Sequence, residues 1–159
     1  MKKLIALFTT LIVLMFTANV MAVGEVEQTI MEVGRGDNKV VSVKFSCTGD
    51  ASDGSIPDTD IRADILSYIS GWFLDIIVVN PGSVAPTVDS DVYIDDEDEV
   101  DLLNGNGVDL LHNTAAKACV PNTDGQNKRQ PIRGTVTLDV DNQSVNSATY
   151  DIILVFVQE

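Results

Sequence analysis

The sequence predicts an all-β fold: an antiparallel β-sandwich, jelly-roll-like, in one domain that follows an N-terminal signal peptide. Three observations point there. Apolar residues recur with a period of two in four separate segments, which is the spacing of a half-buried strand. Clusters of Gly, Asn, Asp, Ser and Pro fall between those segments, where an all-β chain must turn. Helical patterns do not alternate with the strands as parallel βαβ units require, so the pairing is read as antiparallel.

Residues 1–22 stand apart. Lys2 and Lys3 precede the apolar run "LIALFTTLIVLMF", and small residues at Val20 and Ala22 lead up to Val23. This is the layout of a secretory signal peptide, too short to span a bilayer and followed by no second apolar run. An uncleaved anchor or a buried helix is the other reading. Residues 23–159 then form the domain, long enough to enclose a core. Export makes the protein periplasmic or extracellular.

"VVSVKFSC" sets Val41, Val43, Phe45 and Cys47 on one face of a strand, against Ser42, Lys44 and Ser46. "GRGDN" before it separates this strand from the first. "DTDIRADILSYIS" fits a helix with Ile61, Ile65 and Ile69 aligned and Thr59 as cap. It also alternates as a strand, and strand is preferred because Gly71 leads into a strongly β-like run. In "WFLDIIVV", Trp72, Leu74, Ile76 and Val78 share a face and the opposite face is also largely apolar, which marks a central, covered strand. "GTVTLDV" alternates Val136, Leu138 and Val140 with Thr135, Thr137 and Asp139. "TYDIILVFV" places Tyr150, Ile152, Leu154 and Phe156 together. If this last strand lies at a sheet edge, it could pair with a neighbouring chain.

Cys47 and Cys119 are the only cysteines. An even count in an exported chain suggests a disulfide, which would close a long loop and stabilise the fold by about 4 kcal/mol. Two buried thiols that never meet are the alternative.

The chain's formal net charge is −14; loss of Lys2 and Lys3 with the leader would take it to −16. Such a surface repels nucleic acid, whose phosphates need clustered Lys and Arg. The one basic cluster, "KRQPIR", is short and reads as a solvated loop. Once the leader is removed, nothing calls for a membrane. Acidity instead favours divalent cations or basic partners.

The strongest acidic feature is "DDEDEVDLLNGNGVDLL". Calcium takes six to eight oxygen ligands, and Asp95, Asp96, Asp98 and Asp101 are the candidate ligands, with Glu97 and Glu99 between them. The EF-hand spacing is missing, and contiguous acids on an extended segment point apart, so a solvated hairpin tip is the competing reading. In that reading residues 93–94 and 100–103 are the arms, residues 95–99 the turn, and "NGNG" the next turn. No cofactor is called for beyond that possible calcium. Catalysis has no motif: His112 is the only histidine, and neither a nucleophile elbow nor a phosphate loop occurs. "RGD" at residues 35–37 reads as hairpin-turn chemistry, with an adhesion motif as the alternative.

The stretch "GWFLDIIVVNPGSVAPTVDSDVYIDDEDEVDLLNGNGVDLL" resembles a group of small virion-associated β-rich proteins of tailed bacteriophages. The shared elements are a Gly-started strand at residues 71–79, Pro81-Gly82, Ala85-Pro86-Thr87, the strand core at residues 91–94, and the acidic turn into residues 100–103 and 105–107. The closing "RGTVTLDVDNQSVNSATYDIILVFV" is similar to theirs as well, so the resemblance runs from about Ser52 to Val157. It implies a non-enzymatic β-sandwich that serves as a virion accessory or decoration protein. Two features differ from the group: it normally lacks signal peptides, and its acidic turn carries Gly where this chain has Glu99.

The expected function is therefore that of a structural or accessory protein, exported or carried on a virion, acting through packing against other protein subunits or a cell or virion surface. A homo-oligomer is one form this could take. A secreted carbohydrate- or calcium-binding module is the alternative.

Overall fold

A computed structural model describes residues 23–35 and 38–158. The leader at residues 1–22 and Gly36 and Asp37 of the "RGD" stretch lie outside the described residues.

Among the described residues the chain runs through eleven strands and one helix. They are β1 (Glu25–Arg35), β2 (Asn38–Thr48), β3 (Thr59–Asp60), α1 (Ala63–Ile69), β4 (Phe73–Pro81), β5 (Asp91–Asp95), β6 (Lys117–Cys119), β7 (Asn122–Thr123), β8 (Gln126–Asn127), β9 (Gln130–Pro131), β10 (Thr137–Asp141) and β11 (Thr149–Val157). The large sheet has the order β1-β2-β11-β4-β6, with β9 also pairing β4. A small sheet has the order β3-β10-β5, and β7 and β8 form a separate ribbon. Every pairing is antiparallel. The predicted all-β, antiparallel class is the observed one, in a single domain.

The alternation explains the core. Val41, Val43 and Phe45 of β2, Ile152, Leu154 and Phe156 of β11, and Leu138 of β10 are fully buried. With Val92 and Ile94 of β5 they join one cluster between the two sheets. At about 25 cal/mol per Å2 of apolar surface removed from water, this layer is the main source of stability.

β4 departs from simple alternation. Trp72 and Leu74 are buried, but Ile76 and Val78 are not; Ile77 and Val79 are buried instead. The cause is a bulge. Leu74 pairs with Phe156 and Ile76 with Val155, so Asp75 is an extra residue and the strand changes phase. The four residues expected on one face are thus split between two.

The segment read as a strand is in its middle a helix, and only Thr59 and Asp60 are extended. Ile65 and Ile69, one helical turn apart, are both buried. Gly71 at φ +80° ends the helix in the left-handed conformation that favours glycine, and the Trp72 amide donates to the Ile69 carbonyl at 2.9 Å. Thr59 does not cap it; Arg62 precedes the first turn without a side-chain cap.

One condition is not met and one expectation is corrected. β11 lies between β2 and β4, so the C-terminal strand is central and β1 forms the outer edge. Cys47 and Cys119 are both free. Cys47 lies on β2 opposite Tyr150, and Cys119 lies on β6 opposite Ile77. Three strand spacings of ~4.8 Å separate β2 from β6, well beyond the ~7 Å Cα limit for a disulfide. Among the described residues no helix is long and apolar enough to cross a membrane.

Candidate functional site

The acidic turn is built by its own carboxylates. β5 runs to Asp95, which bridges Asp101. Between them the Asp96 amide donates to the Val100 carbonyl at 3.1 Å, and Asp96 Oδ1 accepts from the Asp98 and Val100 amides, both at 3.0 Å. Glu99 sits at φ +60°, in the left-handed region. This is the position where the phage-like pattern has Gly, so the backbone keeps a glycine-like conformation although the residue is Glu. Asp101 then organises the next turn. Its Oδ1 accepts from the Leu103 amide at 2.9 Å and its Oδ2 from the Gly105 amide at 2.8 Å. Asn104 and Gly105 both have positive φ, as the "NGNG" reading expects.

The second arm of the expected hairpin is not a strand. Residues 100–103 contribute one bridge and the Leu102 amide's 2.8 Å bond to Ile94, and the chain then coils through residues 102–109. Leu103 is driven fully into the core, which ends the extended run.

Of the candidate cation ligands, Asp96 and Asp101 hold backbone amides, Asp98 is exposed, and Asp95 is half-buried. Partial burial and then the charges of Asp101, Asp96, Asp58 and Glu99 hold the Asp95 carboxyl above its ordinary range. The four do not converge: among the described residues no group of three or more His, Cys, Asp or Glu side chains is placed to hold a metal ion. The fold uses half of this acidity to build turns.

Two clefts flank the turn. One of about 380 Å3 lies between Asp96, Glu97 and Asp98 on one side and Gln130, Arg133 and Thr135 on the other. Glu97 leans over Gly134, where a Cβ would collide with the Glu97 carboxylate. The other cleft, of about 270 Å3, is lined by Asp101, Asn104, Asn122 and Asp124 among others. Aromatic side chains, which commonly stack on sugars, line neither.

A second acidic region is visible only in three dimensions. β10 pairs with β5 so that Asp139 faces Tyr93 and Asp141 faces Asp91 on the outer side of the small sheet, with Asp95 opposite Thr137. Thr137 donates to Asp60 at 2.7 Å. Burial first, then Asp141, Asp58 and Asp95, push the Asp139 carboxyl up to about 6, and a hydrogen bond with Asp58 adds to the effect. The signal in the sequence was Asp at alternate positions in two strands, but their partnership depends on register.

The remaining sequence candidates have structural duties. His112 Nδ1 accepts from the Thr114 and Ala115 amides at 3.1 and 3.2 Å and so ties a turn. In the basic segment, Arg129 pairs with Asp75 at the β4 bulge. Burial raises the thiol of Cys47 to about 12 and that of Cys119 to about 11, which keeps both protonated and poorly nucleophilic.

Comparison with known proteins finds no family model, no curated protein and no solved structure that matches the chain.

Proposed function

We propose that this is a non-enzymatic structural or accessory protein, exported or carried on a virion, that works by packing against protein subunits or a surface. The observation that carries the reading is β1. It is an eleven-residue strand at the edge of the large sheet, paired with another strand on one side only, and on it Arg62 donates to the Gln28 carbonyl at 3.1 Å and Tyr68 donates to Glu32. Ile30 and Met31 at its centre are 42% and 63% exposed. A long edge strand without Pro or bulge is a template on which another chain can add a strand. The resemblance to virion-associated phage proteins points the same way. Glu25, Glu27 and Glu32 guard this edge with charge, which suits a selective partner better than indiscriminate pairing.

The test is co-sedimentation of the protein, expressed from its full sequence, with cell-envelope fragments and with phage particles, together with negative-stain microscopy. Binding to one of these, lost in Ile30→Lys while the fold is retained, is the expected result. A protein that binds neither and stays a strict monomer would overturn the reading.

The cleft beside residues 96–98 favours a second reading, a secreted module for a polar ligand such as a carbohydrate. Glycan-array binding lost in Arg133→Ala would support it. A flat array and no thermal shift with added calcium would remove it.

A further inference from the structure

The large sheet has two faces, and the core, the small sheet and α1 account for only one. On the other face the β4 bulge aims Ile76 and Val78 outward beside Ile153 and Val155 of β11. Val157 pairs with Phe73 and with Val40 at the end of the same face. These side chains are only half-buried, and none belongs to the core cluster or packs against it. Both central strands are thus apolar on both sides, the pattern of a sheet covered on both faces.

From this geometry we infer that the outer face of the large sheet, around Ile76, Val78, Ile153 and Val155, is covered by the same face of a second copy of this chain. The inference rests on the packing role proposed above and names one surface and one partner.

Three features select that occupant. The first is size. Five strands at ~4.8 Å and nine residues at ~3.3 Å give a face of roughly 600–700 Å2, so two copies bury about 1,200–1,400 Å2, within the range of specific interfaces. The apolar part of the face is smaller, because Lys44, Ser46, Asp75 and Asp151 share it.

The second is local charge. The protein is strongly acidic, yet the charges nearest the apolar side chains are paired within the chain, Lys44 with Asp151 at 3.5 Å and Arg129 with Asp75, while Glu27, opposite Ser46 on the same face, stands outside these pairs. Ser46 adds a 2.8 Å bond to Asp151. Two identical patches can therefore meet through their apolar side chains with Glu27 at the β1 margin. The crowded carboxylates Asp91, Asp95, Asp139 and Asp141 sit on the small sheet's outer face, on the opposite side of the molecule. A basic partner would be steered there instead, and the net charge repels an anionic bilayer.

The third is the position of the bulge. A regular strand would have kept Ile76 in phase with buried Leu74. The extra residue, Asp75, moves Ile76 and Val78 outward, into register with Val155 and Ile153. Bulges that re-aim side chains in this way are commonly tied to function.

The test is sedimentation equilibrium of protein expressed from its full sequence, in wild-type form and as Ile153→Lys, Val155→Thr and Asp91→Lys. Circular dichroism and thermal unfolding check that each variant folds. The expected result is a wild-type dimer, dissociation at least tenfold easier in Val155→Thr, a monomer in Ile153→Lys, and a dimer retained in Asp91→Lys. If Ile153→Lys does not fold, the mild Val155→Thr decides. A wild-type monomer overturns the inference, as does a dimer indifferent to both outer-face changes. A monomer that still binds particles or envelope overturns the self-pairing and leaves the packing role standing; a monomer that binds neither overturns both.

Discussion

Asp139 of β10 stands opposite Tyr93 of β5, on a sheet face where Asp141, Asp58 and Asp95 add negative charge. Burial and these neighbours hold the Asp139 carboxyl up at about 6, so the folded protein keeps a proton there that the unfolded chain releases near 3.8. The sign follows from linkage. Stability from this group is fully present below about pH 4 and is lost as the pH rises through about 6. Asp139→Asn should flatten that part of the profile and raise the melting temperature at pH 7. Thermal melts of both proteins from pH 3.5 to 7.5 would check this; two parallel profiles would show that Asp139 is not the group responsible.

Glu99 holds a left-handed backbone at φ +60° with an exposed side chain. A β-carbon in that region costs about 1–2 kcal/mol, offset in part by the extra freedom glycine has when unfolded. Glu99→Gly should therefore stabilise the protein by about 0.5–1 kcal/mol, and Glu99→Val should destabilise it. Urea unfolding would measure both. A Glu99→Gly variant less stable than wild type would mean that the Glu side chain contributes something the geometry does not show.

The two glycines of "NGNG" should behave differently. A Cβ on Gly105 meets nothing within 4 Å, so Gly105→Ala costs only its positive φ, about 1 kcal/mol. A Cβ on Gly107 would stand 1.8 Å from the Val92 carbonyl oxygen, and the Val92 amide donates to the Gly107 carbonyl. Gly107→Ala should cost about 3 kcal/mol or more and loosen the end of β5. Equal losses in the two variants would contradict this packing.

Cys47 and Cys119 should titrate as two free thiols after denaturation without reductant, and hardly at all in the native state. Burial and the raised thiol values both predict slow native reaction. Reagent labelling followed by intact mass would show it. A mass that shifts only after reduction would reveal a disulfide and a different pairing of β2 and β6.

Tyr150 is almost wholly buried, and its hydroxyl has no hydrogen-bond partner in the protein. A buried polar group left unsatisfied costs about 1–3 kcal/mol. Tyr150→Phe should therefore raise stability by about 1 kcal/mol. A loss of that size would place an ordered water at the hydroxyl.

Local periodicity was enough to locate β2, β10 and β11, because each strand keeps one face to the core along its whole length. Thus Val41, Val43, Phe45 and Cys47, and Tyr150, Ile152, Leu154 and Phe156, are buried as their spacing requires. Turn chemistry marked the left-handed residues at Asn104 and Gly105, whose conformation depends on their own side chains. The all-β class follows from these local facts, as does the acidity of residues 95–101.

The tertiary structure decided what depends on a partner. Residues 63–69 could serve a helix or a strand, and burial of Ile65 and Ile69 under the sheet selected the helix. The bulge at Asp75 exists only in register with β11, so the outward turn of Ile76 and Val78 could not be read from β4 alone. Strand order placed β11 at the centre and β1 at the edge, and kept Cys47 apart from Cys119. The acidic loop, a candidate calcium site by composition, spends Asp96 and Asp101 on backbone amides, because an unpaired amide costs more than a solvated carboxylate gains. A sequence records which residues want burial or a turn; which of them meet is set by long-range pairing, and that register is a property of the whole sheet.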